Sequence, residues 1–582
     1  MRSLRTTGTI AATALVLATL LPGAPSDLMV APGITGRPGG TLVFSQRNEP
    51  KTLNPVLAGD NASREVIHRI TADLIHINRA TQQTEPALAK SWRASADGLH
   101  YVVDLRRGVS FSDGHPFDAD DVVFSFQAYL DEKTHSPQRD LLVLAGKPMC
   151  VRKLGQYRVA FDLPSRYAVA ERLFDGFAIL PRHILERPYR EGKLAQAWGL
   201  RSPPAEVVGL GPFRFKQYVP GQRIVLERNP YYWKEDESGM RLPYLAEVDF
   251  VFAGTEDMQV MRFQSGESDI LSRTSARNYV ALEKDHERRG YALTDAGPGL
   301  EYSFLFFNLN DPPPGSLPEV AGRQSFLRRA SLRRAVSLAI DRDAIVRLVY
   351  LGHAAPLPGP VPLGNKAWVN AKLPQPVRSV AHAREILAAD GFTWSPRGAL
   401  LDAGGKRVEF SIVTSSGNAE RVQMATLIQD DLKSLGMDVH VVPLEFRSLL
   451  DRVLQTHDYD ACLLTLAAGD ADPNADMNVW LSSGGNHLWH PAQKAPATPW
   501  EAEIDRLMRR QMVTPKYAER KRLFDRVQDI LMENLPLVPL VSPDILVGAR
   551  NGLGNFRPAL LDHYTLWNIE ELYWRSAAGT RR

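Results

Sequence analysis

"VEFSIVTSSGNAERVQMATLIQDDLKSLGMDVHVVP", Val408 to Pro443, changes its apolar period twice, and that change decides the fold. Its first eight residues read as a strand. From Ala419 the apolar residues recur at helical spacing. Val422, Ala425, Ile428, Leu432 and Leu435 share one side, and Gly436 ends the helix. "MDVHVVP" is a strand again. Strand, helix and strand at this length make a βαβ unit, whose crossover requires parallel strands and a right-handed connection. This part of the chain is α/β.

Working outward, "YDACLLTLA" is a further buried strand, followed by the polar loop "AGDADPNAD". The helix "AERKRLFDRVQDILMEN" then feeds "LPLVPLVSPDILVGA", an extended proline-rich return. Upstream lie two helices: "AHAREILAADGF", closed by Gly391, and "SLRRAVSLAI", with Leu332, Val336 and Ile340 on one face. Before them, "LEYSFLFFNLN" is a buried strand stopped by "DPPPG". The first half opens with the strand "TLVFSQ" and a helix carrying Val66, Ile70 and Leu74, and later shows a β-rich block, "GLGPFRFKQYVPGQRIVLERNPYYW". Gly209 and Gly211 of that block read as tight turns, because no G-x-x-x-x-G-K-[ST] accompanies them.

"FSDGHPFDADDVVFSFQAYL", Phe111 to Leu130, holds four acids, Asp113, Asp118, Asp120 and Asp121. Turn and cap chemistry explains them all: "SDG" is a turn, and Asp118 precedes a helical face of Val122, Phe126 and Leu130. The later acids suit the positive end of that helix. A metal or catalytic cluster is the weaker reading, since the stretch holds no Cys, Lys or Arg and His115 alone accompanies the acids.

The 582 residues exceed what one core usually fills, so at least two lobes are expected. With 69 basic and 66 acidic residues the net charge is +3, which gives no footing for nucleic-acid binding. Two cysteines, Cys150 and Cys462, are too few for a disulfide framework and read as buried free thiols. Residues 1–24 have the plan of a cleavable export signal, with Arg2 and Arg5 before an apolar run from Ile10 to Leu21. No cysteine follows that run to carry a lipid, and residues 25–40 read as a flexible leader. The expected division is a first lobe at 41–305, a second at 306–538 and a return to the first at 539–582. Two crossings between lobes are what a closing hinge requires.

Taken in order, "EPKTLNP", "EPALAKSWRASADGLHYVVDLRRGVSFSDGHPFDADDVVFSF", "GLGPFRFKQYVPGQRIVLERNPYYW", "LRRAVSLAIDRDAI", "AREILAADGF" and "YDACLLTLAAGDADPNAD" resemble the extracellular solute-binding proteins of family 5, the oligopeptide/dipeptide type. The resemblance implies a two-lobed flytrap fold, the periplasmic-binding-protein architecture, with an extra subdomain in the first lobe. It also implies a periplasmic monomer that traps a peptide or other small polar molecule and delivers it to ABC transporter permease subunits with their cytoplasmic ATPase. Oligosaccharides, opines and metal chelates are the alternative ligands. In peptide-binding members an aspartate four residues before a proline holds the ligand's amino group. Asp470 is the counterpart here, three residues before Pro473, with Asp472 as the alternative. Leu466, Ala467, Ala468 and Gly469 would flank it with backbone partners, and Ala58, Gly59, Asp60 and Asn61 would form the facing loop.

No catalytic residues, cofactor or metal are expected. A secreted hydrolase, the rival reading, would need G-x-S-x-G, H-E-x-x-H or C-x-x-C, which the chain lacks. His487 and His490 in "HLWHP" read as surface residues.

Overall fold

The structure, a computed structural model, describes residues 27–311, 318–467 and 470–576. The export signal, the prolines of "DPPPG", and Ala468 and Gly469 lie outside the described residues. The first lobe contributes β1 (Thr41–Gln46), α1 (Asn61–Ile70), α2 (Ala119–Leu130), β2 (Glu247–Phe252) and β3 (Tyr291–Pro298). The second contributes β4 (Glu301–Phe307), β5 (Glu409–Ser415), α3 (Ala419–Lys433), β6 (Asp438–Leu444), β7 (Ala461–Ala467) and α4 (Tyr517–Asn534). β8 (Leu537–Arg550) then returns.

Among the described residues one twelve-stranded sheet runs through both lobes. On the first-lobe side β1 and β2 are parallel, Leu42 opposite Val248. On the second, β5 and β6 are parallel through α3, Phe410 opposite Val439, as the opening stretch requires. β8 belongs to both halves. Residues 537–541 pair with β4, and residues 544–550 pair with β3. The chain therefore crosses twice, side by side, at residues 298–301 and 541–544. Gly299 donates its N–H to the Pro543 carbonyl at 3.0 Å, and a Cβ on Gly299 would stand 2.6 Å from the Ile545 side chain. The crossings sit a few residues from the expected breaks at 305/306 and 538/539. The switch is a change of pairing partner, and composition does not register it.

The apolar run in β4 follows from burial on both faces. Leu305 and Phe307 pack with Ile428 and Leu432 of α3, while Phe304 and Phe306 pack with Val527 and Leu531 of α4. In α3 Met424 is buried and Val422 only half-buried, because the first turn of the helix looks toward the space between the lobes.

An additional four-stranded antiparallel sheet in the first lobe is covered by α2, whose Phe126 meets Phe161 edge-on at 5.0 Å. All four acids of the α2 leader have structural partners. Asp118 accepts the Asp120 N–H at 2.8 Å, and Asp121 accepts the Asp118 N–H at 3.0 Å, a reciprocal cap. Asp120 pairs with Lys153 and Asp113 with His183, each at 2.8 Å.

Four local expectations are corrected. The leader is held to the first lobe: Met29–Ala31 pairs with Lys234–Asp236, and Ile34 is buried. Gly209 and Gly211 are needed for close approach, with no positive φ at either. A Cβ there would stand 1.8 Å and 2.6 Å from the Ile70 and Arg69 carbonyl oxygens at the end of α1. Cys462 is buried as expected, but Cys150 is exposed, and the two do not pair. His487 is fully buried, its ring placed 2.9 Å from the Val479 carbonyl and 3.3 Å from Glu501.

Candidate functional site

A cleft of about 900 Å³ lies between the lobes, with the crossings as its floor. Residues 46–48, Asn61 and the segment 272–278 wall it on the first-lobe side. Tyr350, the loop and helix start at 417–421, Thr465 and Ala467 wall it on the second. Thr465 and Ala467 face the cleft because strand side chains alternate, and Leu464 and Leu466 turn into the core. β7 pairs fully with β4, but its pairing with β5 covers only Ala461 and Cys462. The rest of that edge has no ladder partner among the described strands.

The charges on the walls are of two kinds. Some are engaged. Arg273 is paired with Glu301 across the crossing. Glu256 accepts hydrogen bonds from Thr274 at 2.8 Å, the Ser275 N–H at 2.6 Å and Asn278 at 2.9 Å, which hold its carboxyl low against burial. Others are not. Arg421, in the first turn of α3, has a buried Nε with no hydrogen-bond partner among the described residues, and burial lowers its pKa. Beside it, burial and the facing Glu256 raise the carboxyl of Glu420.

The residues singled out in the sequence divide sharply. Asn61 and Ala467 line the cleft. Asp60 caps α1, accepting the Ser63 N–H at 2.9 Å, Ala58 is buried beneath it, and Gly59 is exposed. Leu466 packs on the second-lobe core. Asp470 reaches across to the first lobe: both carboxylate oxygens accept from Arg172, whose third nitrogen donates to the Gln82 carbonyl at 3.1 Å. Asp472 is buried in a bidentate pair with Arg520 at 2.7 and 2.8 Å. Neither aspartate lines the cleft. Arg421, Glu420 and Tyr350 went unread in the sequence. The signal for the first two was available, since "NAERV" opens a helix at the carboxyl end of a parallel strand, where α/β sheets gather ligands.

Next to these aspartates, burial, with Asp470 and Asp472 adding, pushes the Asp476 carboxyl up to about 7. The folded chain thus keeps a proton that the unfolded chain releases near pH 4, so this group's contribution to stability falls as pH rises from about 4 to about 7. Asp476→Asn is expected to raise the melting temperature at pH 8 and leave it nearly unchanged at pH 4. The same shift at both pH values would contradict the assignment.

Two α/β lobes joined by paired crossings around a polar cleft define a hinged binding protein. The chain belongs to the bacterial extracellular solute-binding proteins of family 5, whose middle-region model matches residues 83–487. It is similar to a probable ABC transporter-binding protein of Deinococcus radiodurans, 25% identical over 529 residues and 87% of each chain. The oligopeptide-binding protein AppA of Bacillus subtilis is 25% identical over 561 residues and 95% of each chain. The solved structure of AppA, in complex with a nonapeptide, superposes with a TM-score of 0.70 at 24% identity, covering 93% of this chain and 100% of that one. Among the described residues no helix is long and apolar enough to cross a membrane.

Proposed function

We propose that the protein, exported by residues 1–24 to the periplasm, captures a peptide between its lobes as a monomer and passes it unchanged to ABC transporter permease subunits. The observation that carries this reading is Arg421, whose buried Nε has no hydrogen-bond partner among the described residues, beside the open edge of β7. An extended peptide brings both features a partner: N–H and C=O groups for the strand edge, and a carboxylate for the arginine. Leaving those groups unpaired on burial would cost several kcal/mol, about 1–3 for each backbone group. Asn61 closes the opposite wall. Asp470 serves closure through Arg172, and a ligand amine could reach it only by displacing that guanidinium. The cleft volume lies within the usual range of about 300–1,000 Å³ for ligand pockets.

A mixture of short peptides is expected to raise the melting temperature and narrow the scattering envelope, with every peptide recovered intact by mass spectrometry. Hydrolysed peptides, or stabilisation only by oligosaccharides, would reject the reading. Arg421→Ala is expected to weaken a peptide with a free carboxyl end by about 10- to 100-fold, the worth of a hydrogen bond to a charged group. The C-amidated peptide should lose little. Equal losses for both peptides would remove Arg421 from the carboxylate role.

A further inference from the structure

The geometry points to a divalent-cation site at the hinge, formed by Asp295, His353 and Asp544. The three come from separate segments. Asp295 is on β3 of the first lobe, and Asp544 sits on β8 where that strand passes between lobes. His353 precedes Ala354–Pro356, a short strand that joins β8 from the second lobe. Their donor atoms all lie within 4.8 Å of one another, and His353 Nδ1 is 2.7 Å from Asp295 Oδ2.

Charge separates this cluster from an ordinary ion pair. Two carboxylates face each other, and among the described residues neither is paired with a lysine or arginine. The imidazole is, among the described residues, the one basic group against them. The comparable trio Asp73, His76 and Asp175 is different, because Arg79 already grips Asp175 at 3.0 and 3.2 Å and supplies the missing charge. At the hinge a divalent cation would supply it. One imidazole nitrogen and two carboxylate oxygens suit Zn²⁺ or Mn²⁺, whereas Ca²⁺ takes six to eight oxygens. The outer contacts already orient the set: the Gly297 N–H donates to Asp295 Oδ1 at 2.8 Å, and the Tyr279 ring sits 5.0 Å from the His353 ring.

The location gives the ion a consequence. Opening at residues 298–301 and 541–544 would move Asp295 relative to His353, so the cation binds this lobe arrangement better than an opened one. It must then shift the lobe equilibrium by that difference in affinity. The inference does not rest on the peptide reading, since its readout is the metal alone.

The test uses the untagged full chain, dialysed against chelator and titrated calorimetrically with Zn²⁺, then with Mn²⁺ and Ca²⁺. Zn²⁺ is expected to bind one equivalent, more tightly than Ca²⁺. Asp544→Asn and His353→Ala should each weaken it at least ~10-fold, while Asp73→Asn leaves it unchanged. Circular dichroism confirms that each variant is folded, and the nearly isosteric Asp544→Asn keeps the comparison valid if His353→Ala is not. Absence of a stoichiometric Zn²⁺ site, or one that Asp544→Asn leaves intact, would overturn the inference.

Discussion

Replacing Arg520 with alanine is expected to destabilise the second lobe by about 3–5 kcal/mol, the usual effect of removing one partner from a buried ion pair. Arg520 and Asp472 are 3% and 6% exposed at their side chains, and the guanidinium also donates to Gln511 and lies 5.0 Å from the Trp368 ring centre. Without it the Asp472 carboxylate would stay buried without its counter-charge, near the carboxyl groups of Asp470 and Asp476. For a lobe of this size the melting temperature should drop by roughly 10 °C. The double variant Arg520→Met with Asp472→Leu should recover most of the loss, since the penalty lies in the orphaned charge. Chemical unfolding that shows less than about 1 kcal/mol for Arg520→Ala would mean that water replaces the guanidinium.

Replacing Arg172 acts on the hinge. Its pair with Asp470 joins the lobes, with side chains only 13% and 16% exposed, and the nearby Ala168 N–H donates to the Met512 carbonyl at 2.8 Å. Arg172→Ala leaves the Asp470 carboxylate half-buried and unpaired, which favours lobe separation by about 2–3 kcal/mol, or roughly 30- to 160-fold in population. The radius of gyration of the unliganded protein should increase, and ligand affinity should fall by a similar factor because closure loses its own contact. Asp470→Asn should move both readouts the same way, and the double variant should add little, as expected for partners in one interaction. Unchanged scattering for all three variants would show that the pair does not hold the lobes.

Particular residues show how much of this was legible in the chain. The βαβ unit at 408–443 was readable because periodicity and the Gly436 stop are local: a helix face and a strand face must each bury apolar side chains whatever surrounds them. Asp118 and Asp121 were readable for the same reason, since a helix start must satisfy its own N–H groups. The aspartates after β7 were not. "GDADP" shows acids in a loop, and nothing in that string reveals that Arg172, 298 residues away, takes one, or that Arg520 takes the other. Gly209 and Gly211 were read as turns, and their purpose emerged only when the end of α1 was seen against them.

By itself, then, the amino-acid order determined the α/β class, the elements, the doubly covered strands and the family resemblance. All of these follow from interactions between residues close in sequence or from the need to bury apolar surface. Tertiary structure decided which carboxylates are engaged, that the Arg421 Nε is buried without a partner among the described residues, and where the chain crosses from lobe to lobe. Those outcomes depend on the charge or hydrogen-bonding group that distant segments bring within about 3 Å, a distance that spacing along the chain does not encode.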